Sequence, residues 1–362
     1  MPSLPPEEQE PTAGTPERLD ARRLLLSVGV AAIGGLAAQA VGFPAGLLAG
    51  AMAATAAAAL FLRLPIVAPD LLRRMAFFTV GATIGATVSQ ETLATIPTWP
   101  ISLAGLAIGL ASLLLIAPTV VMFLFRFDRR TAVMSAVPGA FSFVLAFSHE
   151  IGADVRRVAV IQTLRLAGLF IVLPIGVGAA GDASSAGASL EHSAASNTLD
   201  VGGLIILAGT ALVATSLARR ARVSAPEFIA PLIAGLALSG GGIIDGAVPT
   251  VIAAPAFIAT GLVVGARFVG VDTAILREAL RAAVIVFAIS LAVTAIAAGV
   301  VAGILDEPFA KLWLAFAPGG LDTMSALALA LGHDPAFVAG HQLVRFLALN
   351  LLLPIILPRA LA

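Results

Sequence analysis

The chain has 362 residues, of which 59% are hydrophobic and 12% charged, with zero net charge and a mean hydropathy of +1.03. A soluble domain carries roughly 25% charge, so this chain cannot cover a water-facing surface and belongs in a lipid bilayer. Zero net charge excludes the basic footprint of a nucleic-acid binder, and the absence of Cys excludes disulfides, a thiolate nucleophile and cysteine-ligated metals.

Residues 1–20 are rich in Pro and Glu and read as a disordered cytoplasmic tail. Arg22 and Arg23 then precede a full-length apolar run, so that run stays in the membrane as a span instead of being cleaved as a signal peptide. A crossing helix needs about 20 apolar residues. Such runs lie near 24–42, 44–62, 73–90, 101–125 and 157–178, and again near 201–218, 226–243, 247–266, 281–304 and 336–357. A further apolar segment precedes the last run of each half, at 131–149 and 309–331.

Arg and Lys in short loops are retained in the cytoplasm. Arg18, Arg22 and Arg23 place the N-terminus inside, and Arg63, Arg73 and Arg74 flank the next inside loop. Arg126, Arg129 and Arg130 lie inside, as do Arg156 and Arg157, so the 131–149 segment starts and ends on one face and dips into the membrane without crossing. In the second half Arg219, Arg220 and Arg222, then Arg267, Arg277 and Arg281, then Arg359 mark the inside. Five crossings per half is an odd number, so the two halves point in opposite directions. The expected organisation is a cytoplasmic tail (1–20), a first membrane repeat (21–178), an external linker (179–200) and a second membrane repeat (201–362), with both termini cytoplasmic in the bacterial inner (plasma) membrane.

The halves also match residue by residue. Pro138, Gly139, Gln162, Arg165 and Pro174 recur 180 positions later as Pro318, Gly319, Gln342, Arg345 and Pro354, together with Gly152/Gly332 and Asp154/Asp334. Gly81 and Gly85 match Gly261 and Gly265 at the same shift, a spacing read as close helix packing. The fold class is therefore an all-α polytopic membrane protein of two inverted repeats, each of about five transmembrane helices plus one re-entrant or broken helix.

Pro138-Gly139 and Pro318-Gly319-Gly320 can break a helix, because Pro lacks an N–H and Gly tolerates unusual φ. Backbone broken at membrane depth must be buried in protein or line a wet cavity, and two such breaks meeting at the midplane form the usual site of inverted-repeat carriers. The bland alternative is a Pro kink with no ligand. Gln162 and Arg165 share a helix face, as do Gln342 and Arg345, with His341 one turn earlier. An intramembrane Arg faces a bundle interior or cavity. Arg165 and Arg345 therefore either bind an anionic solute or neutralise a carboxylate, and Asp322 is the expected partner of Arg345. Its counterpart in the first half is Ser142. Asp154 and Asp334 read as helix caps, and of His149, His333 and His341 the last is the better placed for proton coupling.

The run Ala317-Pro-Gly-Gly-Leu-Asp-Thr-Met324, then Leu331-Gly-His-Asp334, then His341-Gln-Leu-Val-Arg345, resembles the AbrB-type integral membrane protein family across nearly the whole chain after the tail. The first half departs from it, with Pro138-Gly139-Ala140-Phe141 lacking the second Gly and Val144 standing in place of the Met. The resemblance implies a duplicated membrane unit, and its labels are ammonia monooxygenase and regulator of aidB expression. Four scattered histidines (149, 192, 333, 341) and no Cys make no redox-metal cluster.

The sequence thus reads as a non-enzymatic secondary transporter of a small anionic or zwitterionic solute, without metal or cofactor. Its substrate-binding residues would be Pro138, Gly139, Gln162, Arg165, Pro318, Gly319, Gly320, Asp322, His341, Gln342 and Arg345. Its partners are the lipid bilayer, the solute and a coupling ion or proton, with no nucleic acid and with a homo-oligomer left open. The alternative is a membrane-embedded sensor acting indirectly on gene expression.

Overall fold

The computed structural model describes residues 21–87, 96–139, 141–179, 198–223, 225–271 and 273–361; the predicted tail and nearly all of the predicted linker lie outside them. The described residues fold into α-helices: α1 (Ala21–Ala40), α2 (Gly46–Leu60), α3 (Asp70–Ala86), α4 (Trp99–Phe125), α5 (Arg129–Ala136), α6 (Phe141–Glu150) and α7 (Val155–Ala179). They continue with α8 (Val201–Arg220), α9 (Pro226–Gly240), α10 (Thr250–Gly265), α11 (Thr273–Leu305), α12 (Phe309–Phe316), α13 (Leu321–Ala330) and α14 (Pro335–Leu361). This is an all-α polytopic membrane protein. Among the described residues seven helical stretches are long and apolar enough to cross a bilayer: those of α1, α4 with the turn before it, α7, α8, α10 with the turn after it, α11 and α14. α2 and α9 are apolar but only 15 residues long, which at 1.5 Å per residue reaches about 22 Å. Both are set off by a left-handed residue, Ala45 (φ 56°) and Ala225 (φ 51°), and Pro226 then opens α9. Both are largely buried among other helices.

Helix boundaries fall 180 residues apart: 21–40 and 201–220, 46–60 and 226–240, 129–136 and 309–316, 141–150 and 321–330. Backbone conformation follows the same offset. Arg126 and Asp306 both have φ 54°, and Gly152 and Gly332 have φ 74° and 75°.

The helices sort into two bundles. α1, α2, α3, α8, α9 and α10 pack mainly on one another; α4–α7 and α11–α14 do the same, and contacts between the sets are sparse. The first bundle is held at glycine crossings. A Cβ on Gly261 would lie 2.5 Å from the Leu48 carbonyl oxygen, and one on Gly265 would lie 2.7 Å from that of Met52, so α10 lies directly on the α2 backbone. Gly81 and Gly85 meet the carbonyls of Phe228 and Leu232 in the same way, seating α3 on α9. Lipid offers these helices no hydrophobic drive to associate, so such close approach, with its dispersion contacts, holds them together. The glycine pairs pack helices, as their spacing suggests.

The second bundle carries the breaks. α5 ends at Val137 in an extended conformation and α6 starts at Phe141; α12 ends at extended Ala317 and α13 starts at Leu321. Each predicted Pro-Gly segment is two short helices separated by an unwound stretch. Asp154 and Asp334 cap the helices that follow. Oδ1 of Asp154 accepts from the N–H groups of Arg156 and Arg157 at 3.1 Å, and Oδ1 of Asp334 accepts from Ala336 and Phe337 at 3.0 Å.

A cavity between two broken helices

Ending α5 and α12 inside the protein leaves carbonyl oxygens without intrahelical donors. The sequence answers with the Gln–Arg pair one turn apart on α7 and on α14. Gln162 Nε2 donates to the carbonyls of Met134 and Val137 at 2.9 and 2.8 Å. Gln342 Nε2 donates to Leu314, Ala315 and Ala317 at 3.2, 3.1 and 3.0 Å. Arg345 donates from Nη1 to Ala317 and from Nη2 to Gly319, both at 2.6 Å. Arg165 reaches Ala136 and Val137 more loosely, at 3.3–3.5 Å. In both pairs the Arg also donates to its Gln side-chain oxygen. The four side chains are buried. A guanidinium at the carboxyl end of a short helix also meets the negative pole of its dipole.

This changes the roles expected of the arginines. Arg345 was expected to pair with Asp322, but its polar contacts go to backbone carbonyls and Gln342. Two cations of the other bundle, Arg267 and Arg73, border the same cavity as Asp322. The Gly319 carbonyl takes its hydrogen bond from Arg345, whereas a carboxylate bordering a cavity can be hydrated.

The two breaks come together. Pro138 and Pro318 border one small void, with Arg345. Beside it lies a cavity of 750 Å³ bordered by Pro138, Gly139, Gln162, Arg165, Gly319, Gly320, Asp322, Gln342 and Arg345. Of the residues singled out in the sequence, Pro318 and His341 do not border it. His341 faces the opposite way, with Nε2 2.7 Å from Ser102 Oγ and Nδ1 2.9 Å from the Phe337 carbonyl oxygen, among the rings of Trp99, Phe316 and Phe337. Because that carbonyl can only accept, the neutral ring carries its proton on Nδ1. His341→Ala is therefore expected to lower thermal stability without altering the pH dependence of solute binding, as melting and binding curves would report.

The cavity's other wall comes from the first bundle: Ile66, Ala68, Arg73, Phe77, Glu227, Phe228 and Arg267. Sequence reading missed these as site residues. Arg73 and Arg267 entered it only as markers of the cytoplasmic side. At the rim Arg73 donates to Asp70 at 3.0 and 2.5 Å, and that hydrogen bond holds the Asp70 carboxyl below its ordinary value. Glu227 is paired with Arg219 at 3.2 Å and lies 3.9 Å from Arg74. Arg267 sits over the Phe141 ring, 5.4 Å from its centroid, reaching across to the bundle that holds the breaks.

Broken helices meeting at a cavity between two helical bundles define a polytopic membrane protein with a polar site buried at the bundle interface. The chain belongs to the AbrB family: the family model described as "Transition state regulatory protein AbrB" matches residues 2–86 and 47–360. It is 30% identical over 352 residues to a protein of Escherichia coli (strain K12) named "Putative regulator AbrB", with 92% of each chain covered. No solved structure matches the chain.

Proposed function

We propose that the chain is a secondary transporter of a small anionic or zwitterionic solute, working by alternating access between two bundles. The observation that carries this reading is the meeting of two unwound helix breaks at one charged cavity on the bundle interface. The bundle of α1–α3 and α8–α10 acts as scaffold, locked by its glycine crossings. The bundle with the breaks moves against it, as the sparse contacts between the two permit. The 180-residue offset is taken as an inverted duplication, in the manner of inverted-repeat carriers.

Sidedness supports the same reading. The cavity is bordered by Ala68, Arg73, Ala225 and Arg267, next to the arginine-rich loops assigned to the cytoplasm by the charge rule. The positions 180 residues from Ala225, Ala68 and Arg73, which are exposed or half-buried, are Ala45, Val248 and Ala253, and these are buried, at 5%, 7% and 3% exposure. An inverted repeat open on one face and closed on the other has this asymmetry. The opposite state would open the second set and bury the first. Exchange of accessibility between Ala68→Cys and Val248→Cys, measured from both sides of the membrane, tests the proposal.

A regulatory role is the second reading, favoured by the printed name of the E. coli relative. A deletion strain whose transcript changes are rescued by an Asp322→Asn variant that no longer binds solute would support it over transport.

A further inference from the structure

Six charged side chains border the cavity, and four of them are already committed within the protein. Arg165 and Arg345 are held by backbone carbonyls and glutamines. Arg73 is taken by Asp70, and Glu227 by Arg219. Arg267 and Asp322 remain. The Arg267 guanidinium rests on the Phe141 ring and donates no hydrogen bond to any described residue. Asp322 accepts from the Thr323 N–H at 2.9 Å through one carboxylate oxygen. The two charges border the same cavity from opposite bundles, and no ion pair joins them among the described residues: Arg267 lies in the turn after α10, Asp322 in the first turn of α13.

We propose that this opposed pair recognises a solute carrying both a carboxylate and an amino group, with Arg267 taking the carboxylate and Asp322 the ammonium. The inference rests on the carrier reading and narrows its substrate class to small amino carboxylates. The Arg fork matches a carboxylate bidentately, and its place over the Phe141 ring, 5.4 Å from the centroid, holds it at the cavity wall. A solute with only negative charge would meet repulsion from Asp322, and one with only positive charge would meet it from Arg267. A molecule bearing both charges supplies each group with its missing partner. It also bridges the two bundles, so its binding free energy bears directly on their closure.

The test uses the full-length protein in lipid nanodiscs, with glycine, β-alanine and 4-aminobutyrate as zwitterions of increasing charge separation. Propionate and propylamine serve as single-charge controls, and the shift in melting temperature against concentration gives the affinity. At least one zwitterion should stabilise the wild type saturably, and the two controls should bind at least about tenfold more weakly. Arg267→Gln and Asp322→Asn should each weaken the zwitterion by about tenfold or more. Propionate binding as tightly as the best zwitterion, with no effect of Asp322→Asn, would overturn the proposal, as would the failure of all three zwitterions on the wild type. The wild-type arm does not depend on whether the variants fold. Cysteine accessibility separates the two ideas: zwitterion binding without alternation would sink the carrier reading alone, and alternation without zwitterion binding would sink this inference alone.

Discussion

Replacing Arg345 by Ala is expected to destabilise the whole protein, beyond any effect on the solute site. Its terminal nitrogens hold the Ala317 and Gly319 carbonyls at 2.6 Å and the Gln342 side-chain oxygen. Ala317 also accepts from the Gly319 N–H and from Gln342, so the two oxygens that depend on Arg345 are those of Gly319 and the Gln342 side chain. An orphaned buried polar group costs about 1–3 kcal/mol, so two cost about 2–6 kcal/mol, a large part of the 5–15 kcal/mol typical of a folded domain. Arg345→Lys should recover little, because an ammonium is a point charge and cannot span both oxygens as the planar fork does. Arg165→Ala should be milder, since its bonds to Ala136 and Val137 are 3.3–3.5 Å long. Melting of the purified variants measures the order: wild type most stable, then Arg165→Ala, then Arg345→Ala. A wild-type melting temperature for Arg345→Ala would show that water or another donor satisfies the break.

The second large effect is expected at the glycine crossings. Gly261→Leu places a side chain where the Leu48 carbonyl oxygen stands 2.5 Å, and the Met52 nitrogen 2.9 Å, from the Cβ position. Both neighbours are backbone inside a helix and cannot rotate away, so α10 and α2 must separate and the scaffold loses its close packing. Gly81→Leu should act alike through Phe228. Gly29→Leu and Gly209→Leu, at positions with nothing within 4 Å of a Cβ, should be tolerated. Size-exclusion profiles of the detergent-solubilised protein distinguish the outcomes: a lost or aggregated peak for the first two and a wild-type peak for the controls.

These expectations show which features the sequence disclosed. The breaks were legible because Pro138-Gly139 and Pro318-Gly319 recur in register, and Pro within an apolar segment has few structural meanings. The Gln–Arg pairs were legible as inward-facing because an Arg in a span must be satisfied. What satisfies them was not legible: Asp322 follows the break closely in sequence, yet the nearest unmet need of Arg345 is the carbonyls that the break itself exposes. Arg73 and Arg267 were hidden for a different reason. An Arg at a helix end reads the same whether it meets lipid headgroups or turns into a cavity, and only the crossing of the two bundles decides. His341 shared a predicted face with Arg345, but Ser102 and Trp99, far away in sequence, draw it off the cavity.

The central claim is that one site is opened alternately by two bundles, each built from both halves of an inverted repeat. The naturally cysteine-free chain allows it to be measured with single Ala68→Cys and Val248→Cys variants, labelled by a membrane-impermeant maleimide in intact cells and in inverted vesicles. The account expects Ala68→Cys to react only from the cytoplasmic side and Val248→Cys only from the external side. A modifier trapped at the first should suppress labelling at the second. Labelling of both positions from one face, or a Val248→Cys that never reacts from either, would contradict it.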